Sequence, residues 1–230
     1  MTLPKRSAAF LVLLSAATLV AAPQKRWTES FNLEACTWST TGRNDFFILE
    51  PGYQQIFEAK DARLEITVTN ETRKIGGVDT RVIEERESKD GQLVEVSRNF
   101  FAVCRPTTDI FYFGEEVDMY KGGKIINHEG SWTAGNGSAK AGLFMPARPL
   151  LGARFYQEVA PGVAMDRVEI ASDAEFVKTP AGEFRDAVKT EETTLLEPGV
   201  KAYKVYARGV GIVRDGEFLL TKYGPAAHTP

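Results

Sequence analysis

The sequence predicts an all-β fold, an antiparallel barrel or sandwich of lipocalin-like or half-barrel kind with little helix. Three observations predict it. Apolar and polar residues alternate along several runs, as at Leu64, Ile66 and Val68. Turns built on glycine and proline separate those runs at short intervals. No stretch carries an apolar stripe of helical period over three turns.

The elements follow in order. Lys5 and Arg6 precede an uncharged run over residues 8–22. A basic start followed by an apolar stretch and small residues reads as a secretory signal peptide, residues 1–22, with cleavage near Val20-Ala21-Ala22. The run is shorter than the ~20 residues of a spanning helix, so no stable membrane span is expected, an uncleaved anchor being the alternative. Residues 23–44 are polar and weakly patterned. They read as an N-terminal lead-in segment with a short element around Phe31 to Cys36.

A single antiparallel β domain is expected over 45–224, two β-halves meeting near 135–150 being the alternative. Residues 62–75 and 78–88 form a hairpin about Gly76-Gly77. Asp90-Gly91 turns the chain into 92–104, Pro106 breaks it before 109–120, and Gly122-Gly123 turns it again. Short strands are then expected over 163–172, 174–179, 183–196, 201–207, 211–214 and 217–223. Between the two series lies 141–157, apolar but broken by Pro146, Pro149 and two glycines. It reads as a buried connection, or as a crossover that closes one end of a barrel or lines a cavity. Residues 225–230 read as a flexible tail.

Composition bounds the function. The chain has 230 residues, 43% hydrophobic and 26% charged, with formal net charge −3, so nothing in its charge attracts nucleic acid. Two cysteines, Cys36 and Cys104, suit one disulfide in an exported chain, the alternative being two separately buried thiols. Gly209-Val-Gly211 lacks the third glycine and the helix of a dinucleotide loop, and neither a phosphate loop nor a G-x-S-x-G elbow occurs. With only two histidines, His128 and His228, no multi-His metal site can be built, and neither metal nor cofactor is implied.

Carboxylates are plentiful: Glu84, Glu85, Glu87, Glu115, Glu116, Asp118, Asp166, Glu169, Glu191 and Glu192. Residues two apart share a strand face, so Glu85/Glu87 and Glu116/Asp118 can each act as a pair. The ordinary reading of such alternating charge is a solvated strand face. Aromatic and large apolar residues gather in the middle third. Phe111, Phe113, Tyr120, Trp132, Phe144, Met145, Phe155 and Tyr156, with His128 as a polar group, are the candidate ligand-binding residues, the alternative being a filled core. Asn70 and Asn136 match the glycosylation acceptor pattern, which matters only in a eukaryotic secretory pathway.

The C-terminal third carries "VKTPAGEF" (177–184) and "YKVYARGVGIVRDGEFLL" (203–220). These stretches resemble uncharacterised bacterial exported β-proteins with a T-P-A-G-x-F hairpin and a terminal Y-x-A-x-G-V-G-x-V hairpin. Val205 replaces the first tyrosine of the usual pair, and Arg208 stands where proline is common. The resemblance implies export and a barrel-like fold, and brings no catalytic residues. The functional expectation is an exported protein, periplasmic or extracellular, that binds a small apolar or amphipathic molecule and leans away from catalysis. An envelope structural or protein-interaction module is the first alternative. A carboxylate-dependent hydrolase using His128 is the second.

Overall fold

A computed structural model describes residues 26–226 of the chain. The signal-peptide reading of residues 1–22 lies outside the described residues, as do residues 227–230 at the end of the expected tail. The strands are β1 (Trp38–Ser39), β2 (Gly42–Asn44), β3 (Phe47–Leu49), β4 (Tyr53–Glu58), β5 (Ala62–Ile75), β6 (Val78–Lys89), β7 (Gln92–Cys104), β8 (Asp109–Lys121) and β9 (Lys124–Asn127). They continue as β10 (Trp132–Thr133), β11 (Lys140–Met145), β12 (Arg154–Tyr156), β13 (Glu158–Val159), β14 (Asp166–Thr179), β15 (Gly182–Thr194), β16 (Ala202–Ala207), β17 (Gly211–Asp215) and β18 (Phe218–Pro225). Among the described residues the helical structure is a 3-10 turn at Leu33–Ala35.

The strands form a nearly closed, barrel-shaped antiparallel sheet. Its order is β12-β14-β15-β16-β17-β18-β4-β5-β6-β7-β8-β11-β13. Residues 154–159 bring the two edges together. Their first half, β12, pairs with β14, and their second half, β13, pairs with β11. The Pro- and Gly-broken segment 141–157 therefore supplies strands on both sides of the closure.

Two glycines make this geometry feasible. A Cβ on Gly142 would stand 2.2 Å from the carbonyl oxygen of Gln157, so only glycine lets β11 lie against the closing segment. A Cβ on Gly114, at φ +135°, would stand 2.3 Å from the carbonyl oxygen of Trp132, where β8, irregular in register against β7, pairs with β10.

Some expectations need correction. Residues 163–172 and 174–179 are not two strands: β14 is continuous, with register shifts near Ser172 and Glu175 that interrupt its alternation. The tail starts later than residue 225, because β18 runs to Pro225 and the Ala226 amide donates to the Gly52 carbonyl. Glu85 and Glu87 do not belong to a solvated strand face. Their side faces the interior, in phase with Ile83, and Glu85 lines the interior cavity.

Both faces of part of the sheet are covered. Phe46, Phe57, Val168, Ile170, Tyr206 and Leu220 belong to the inner core. Val82, Phe100, Ala102, Phe111 and Phe113 form a second core on the outer face, packed against Phe31, Leu33 and Trp38 of the N-terminal segment. The Cys36–Cys104 disulfide fixes that segment to β7. Such a cross-link belongs to a chain that matures in an oxidising compartment, outside the cytosol.

Antiparallel connectivity sorts the turns between two ends of the barrel. Residues 59–61, 90–91, 122–123, 195–201 and 216–217 share one end. The other end is filled by the β2–β3 hairpin, which pairs within itself. Phe46, Phe47 and Leu49 are buried there, while Asp45 pairs with Arg208 and its carbonyl accepts from the Gly209 amide. Gly209 and Gly211 both sit at positive φ, as the turn between β16 and β17 requires.

Candidate functional site

Side-chain alternation builds the site. On β6, Ile83, Glu85 and Glu87 point inward in sequence toward the end opposite the plug. Strand register sets Ile83 beside Asn99 and then Glu115, and Glu87 beside Glu95 and then Met119. Across the interior, Val168 stands beside Glu192, and Ile170 stands beside Thr190, then Lys204, then Asp215. Glu158 of β13 and Asp166 of β14 complete the layer. The interior therefore grades from carboxylates near one end to aromatic and aliphatic side chains near the plug.

The apolar half holds a cavity of about 30 Å³, lined by Phe47, Tyr53, Ile83, Glu85, Phe101 and Phe144 among others. By volume it has room for roughly two waters. Phe47, Phe101 and Phe144 pack with ring centroids 4.9–5.3 Å apart, in tilted and edge-to-face pairs. Gln55 ties the wall by donating to the Val210 and Ile212 carbonyls, at 3.1 and 2.6 Å. Burial, with help from Tyr223, pushes the pKa of the Tyr53 hydroxyl up, and that hydroxyl donates to the Val210 carbonyl at 2.7 Å.

The polar half is electrostatically loaded. Burial pushes the Glu85 carboxyl up to about 7, against the opposing pull of Lys204. Burial, then the Glu85 charge, pushes Glu115 up to about 7. Burial, with Glu115 and Asp166 behind it, carries Glu158 well above the carboxylate range. Glu192 and Glu95 are raised by burial too, the latter also by Glu87 directly opposite. Lys204 lies 3.1 Å from a Glu192 oxygen and 3.8 Å from Asp215. Burial works against the Lys204 charge, but Asp215 and Glu192 outweigh it and its pKa rises.

Several buried polar atoms in this layer make no hydrogen bond. They are one oxygen of Glu192 and the Tyr206 hydroxyl, and beside them one oxygen of Glu158 and the Trp132 indole nitrogen, which lie toward each other without a well-formed bond. Tyr206 is fully buried, with Glu192, Lys204, Asp215 and Glu85 all acting on its hydroxyl. Tyr112 by contrast donates to Asn99 at 2.5 Å, and Asn99 donates to Ser97 at 3.0 Å. Buried polar atoms left without partners are rare enough in folded proteins to mark a place where something polar belongs.

The nine candidates divide. Trp132, Phe144, Met145 and Phe155 belong to or pack against the inner core. Phe111 and Phe113 lie on the outer face instead, where Trp38 meets both rings edge-on at 5.5 and 5.2 Å. Tyr156 is buried at the closing segment against Trp27, and Tyr120 is half-buried on β8. His128 is largely exposed; its Nδ1 lies 2.9 Å from Asp118, which also holds Arg98 at 3.0 Å. The same Nδ1 lies 3.0 Å from the Val117 carbonyl oxygen.

Glu95, Glu158, Lys204 and Tyr206 were not singled out, and Glu85, Glu115 and Glu192 were named as carboxylates but not among the nine ligand-binding residues. Their signal was parity, since Glu85 and Glu87 are in phase with Ile83, and Lys204 with Tyr206.

No family model and no curated protein matches the chain. It is similar to the crystal structure of a "putative lipoprotein" from Parabacteroides distasonis ATCC 8503, at 14% identity over 80% of this chain and 100% of that one, with a TM-score of 0.31. A likeness that distant carries no functional argument.

Proposed function

We propose that this chain is an exported binding protein whose barrel interior takes a small amphipathic molecule. One observation carries the reading. The inward side chains grade from a polar layer with unpartnered buried atoms to an aromatic pocket closed by the β2–β3 plug. Ligand sites combine these two features, an apolar lining and a few placed polar groups. Glu85 stands at their boundary. The disulfide supports export, and the carboxylate-rich end, away from the plug, is the side from which a ligand enters.

The test is solvent extraction of purified protein, with the extract resolved by mass spectrometry. Ile66→Phe, with the circular dichroism unchanged, serves as the control, because Ile66 lines the pocket and a larger side chain there occupies it. A small molecule recovered from the wild-type chain and reduced in the control supports the proposal. Equal recovery from both, or none from either, overturns it.

A further inference from the structure

We propose that the interior site selects a protonated amine, its ammonium group paired with Glu85 in the field of Glu115, Glu158 and Glu192 and its short apolar remainder in the aromatic pocket. This rests on the reading of the barrel interior as a binding site, and goes further by fixing the chemistry of the ligand's polar end.

The first argument is charge. Carboxyls face the interior from β6 (Glu85, Glu87), β7 (Glu95), β8 (Glu115), β13 (Glu158), β14 (Asp166), β15 (Glu192) and β17 (Asp215). The phenols of Tyr112 on β8 and Tyr206 on β16 face the same space. Against them stand Lys204, engaged with Glu192 and Asp215, and Lys89, which acts on Glu87. Glu85, Glu115 and Glu158 form no ion pair among the described residues. A negatively charged ligand would add to this field, whereas a cation relieves it.

The second argument is hydrogen-bond type. Apart from Glu158 and the Trp132 indole N–H, which act on each other, the unpartnered atoms of this layer are an oxygen of Glu192 and the Tyr206 hydroxyl. The first only accepts when ionised, and the second can accept. What is missing is therefore a donor with several N–H groups, and an alkylammonium carries three. The third argument is spacing. Among the described residues no three His, Cys, Asp or Glu side chains come close enough to hold a metal ion. A metal ion needs several ligands at once, whereas an alkylammonium can be held by a single carboxylate beside an apolar lining, which is what Glu85 and the pocket offer. Beside it, Phe47, Tyr53, Phe101 and Phe144 line the pocket that Glu85 borders, and aromatic faces favour the carbon side of an ammonium group.

The proton balance is explicit. Where a glutamate holds its proton, the alkylammonium binds as the proton leaves to solvent, giving a carboxylate–ammonium pair and one released proton. Affinity should therefore fall on acidification, as protons compete with the amine for the same oxygens.

The experiment is isothermal titration calorimetry of the purified protein with n-propylammonium chloride. Propan-1-ol and sodium propanoate are the neutral and anionic controls, and two buffers of different ionisation heat report proton release. We expect saturable propylammonium binding, with both controls weaker by about tenfold or more, a loss of about 1.4 kcal/mol. We also expect proton release, and a further loss of about tenfold from about pH 8 to about pH 5.5. Glu85→Gln should weaken binding with the circular dichroism unchanged. If that variant does not fold, Tyr206→Phe, which keeps the packing, carries the same expectation. Equal binding of propan-1-ol overturns the amine selectivity and leaves the amphipathic site standing. Absence of saturable propylammonium binding to folded protein overturns the inference. So does an extracted ligand without a basic nitrogen, an outcome that upholds the broader proposal.

Discussion

Tyr206 and Gly142 show how single residues carry the argument in opposite directions. The Tyr206 hydroxyl is buried without a partner, so it costs stability where it stands. Tyr206→Phe should leave the urea midpoint unchanged or raise unfolding stability by about 1 kcal/mol. A loss of more than about 1 kcal/mol would show that the hydroxyl is bonded in the folded chain. Gly142 has no such freedom, since any Cβ there meets the Gln157 backbone. Gly142→Ala should cost about 3 kcal/mol or more by urea unfolding, because the closing segment must move. Neither residue announces itself in the sequence. Gly142 sits in an apolar run like any strand glycine, and Tyr206 reads as ordinary alternation. Their significance lies in what the closed barrel brings to them.

At the scale of elements, the hairpins were legible and the direction of their faces was not. Gly76-Gly77, Asp90-Gly91 and Asp215-Gly216 all turn antiparallel pairs, because glycine at positive φ is what tight reversals need. Period-two patterning tells which residues share a face, but not which face is inside. Glu85 and Glu87 looked solvated because they are charged, and only barrel closure places them within. β8 carried a signal of its own. Ile110, Phe111, Tyr112 and Phe113 are consecutive and all buried, the mark of a strand covered on both faces. The outer cover is the N-terminal segment, held by Cys36–Cys104 across a sequence separation of 68. Loop-closure entropy gives that cross-link about 4 kcal/mol. Cys36→Ser with Cys104→Ser should lower unfolding stability by about 3–4 kcal/mol and increase hydrogen exchange at Phe111 and Phe113. Unchanged stability and protection would show that packing alone holds the segment.

Across the whole molecule, the interior carboxyls link stability to pH. Glu85 and Glu115 rise from 4.5 to about 7 on folding, so the folded chain holds protons that the unfolded chain releases. The native state binds more protons between those values, and stability falls as pH rises through that window. Unfolding stability should therefore be greater at about pH 5 than at about pH 8, the reverse of a protein held by ionised carboxylates. A bound cation would offset the loss by stabilising the ionised carboxyls. The barrel thus keeps an unfavourable interior that a suitable ligand improves, as expected of a binding site rather than a core refined for stability alone. Native mass spectrometry of the protein as purified from an exporting host tests this most directly, comparing the intact folded mass with the denatured mass. The folded chain should carry an added small-molecule mass that denaturation removes and Ile66→Phe reduces. Identical folded and denatured masses would contradict the account.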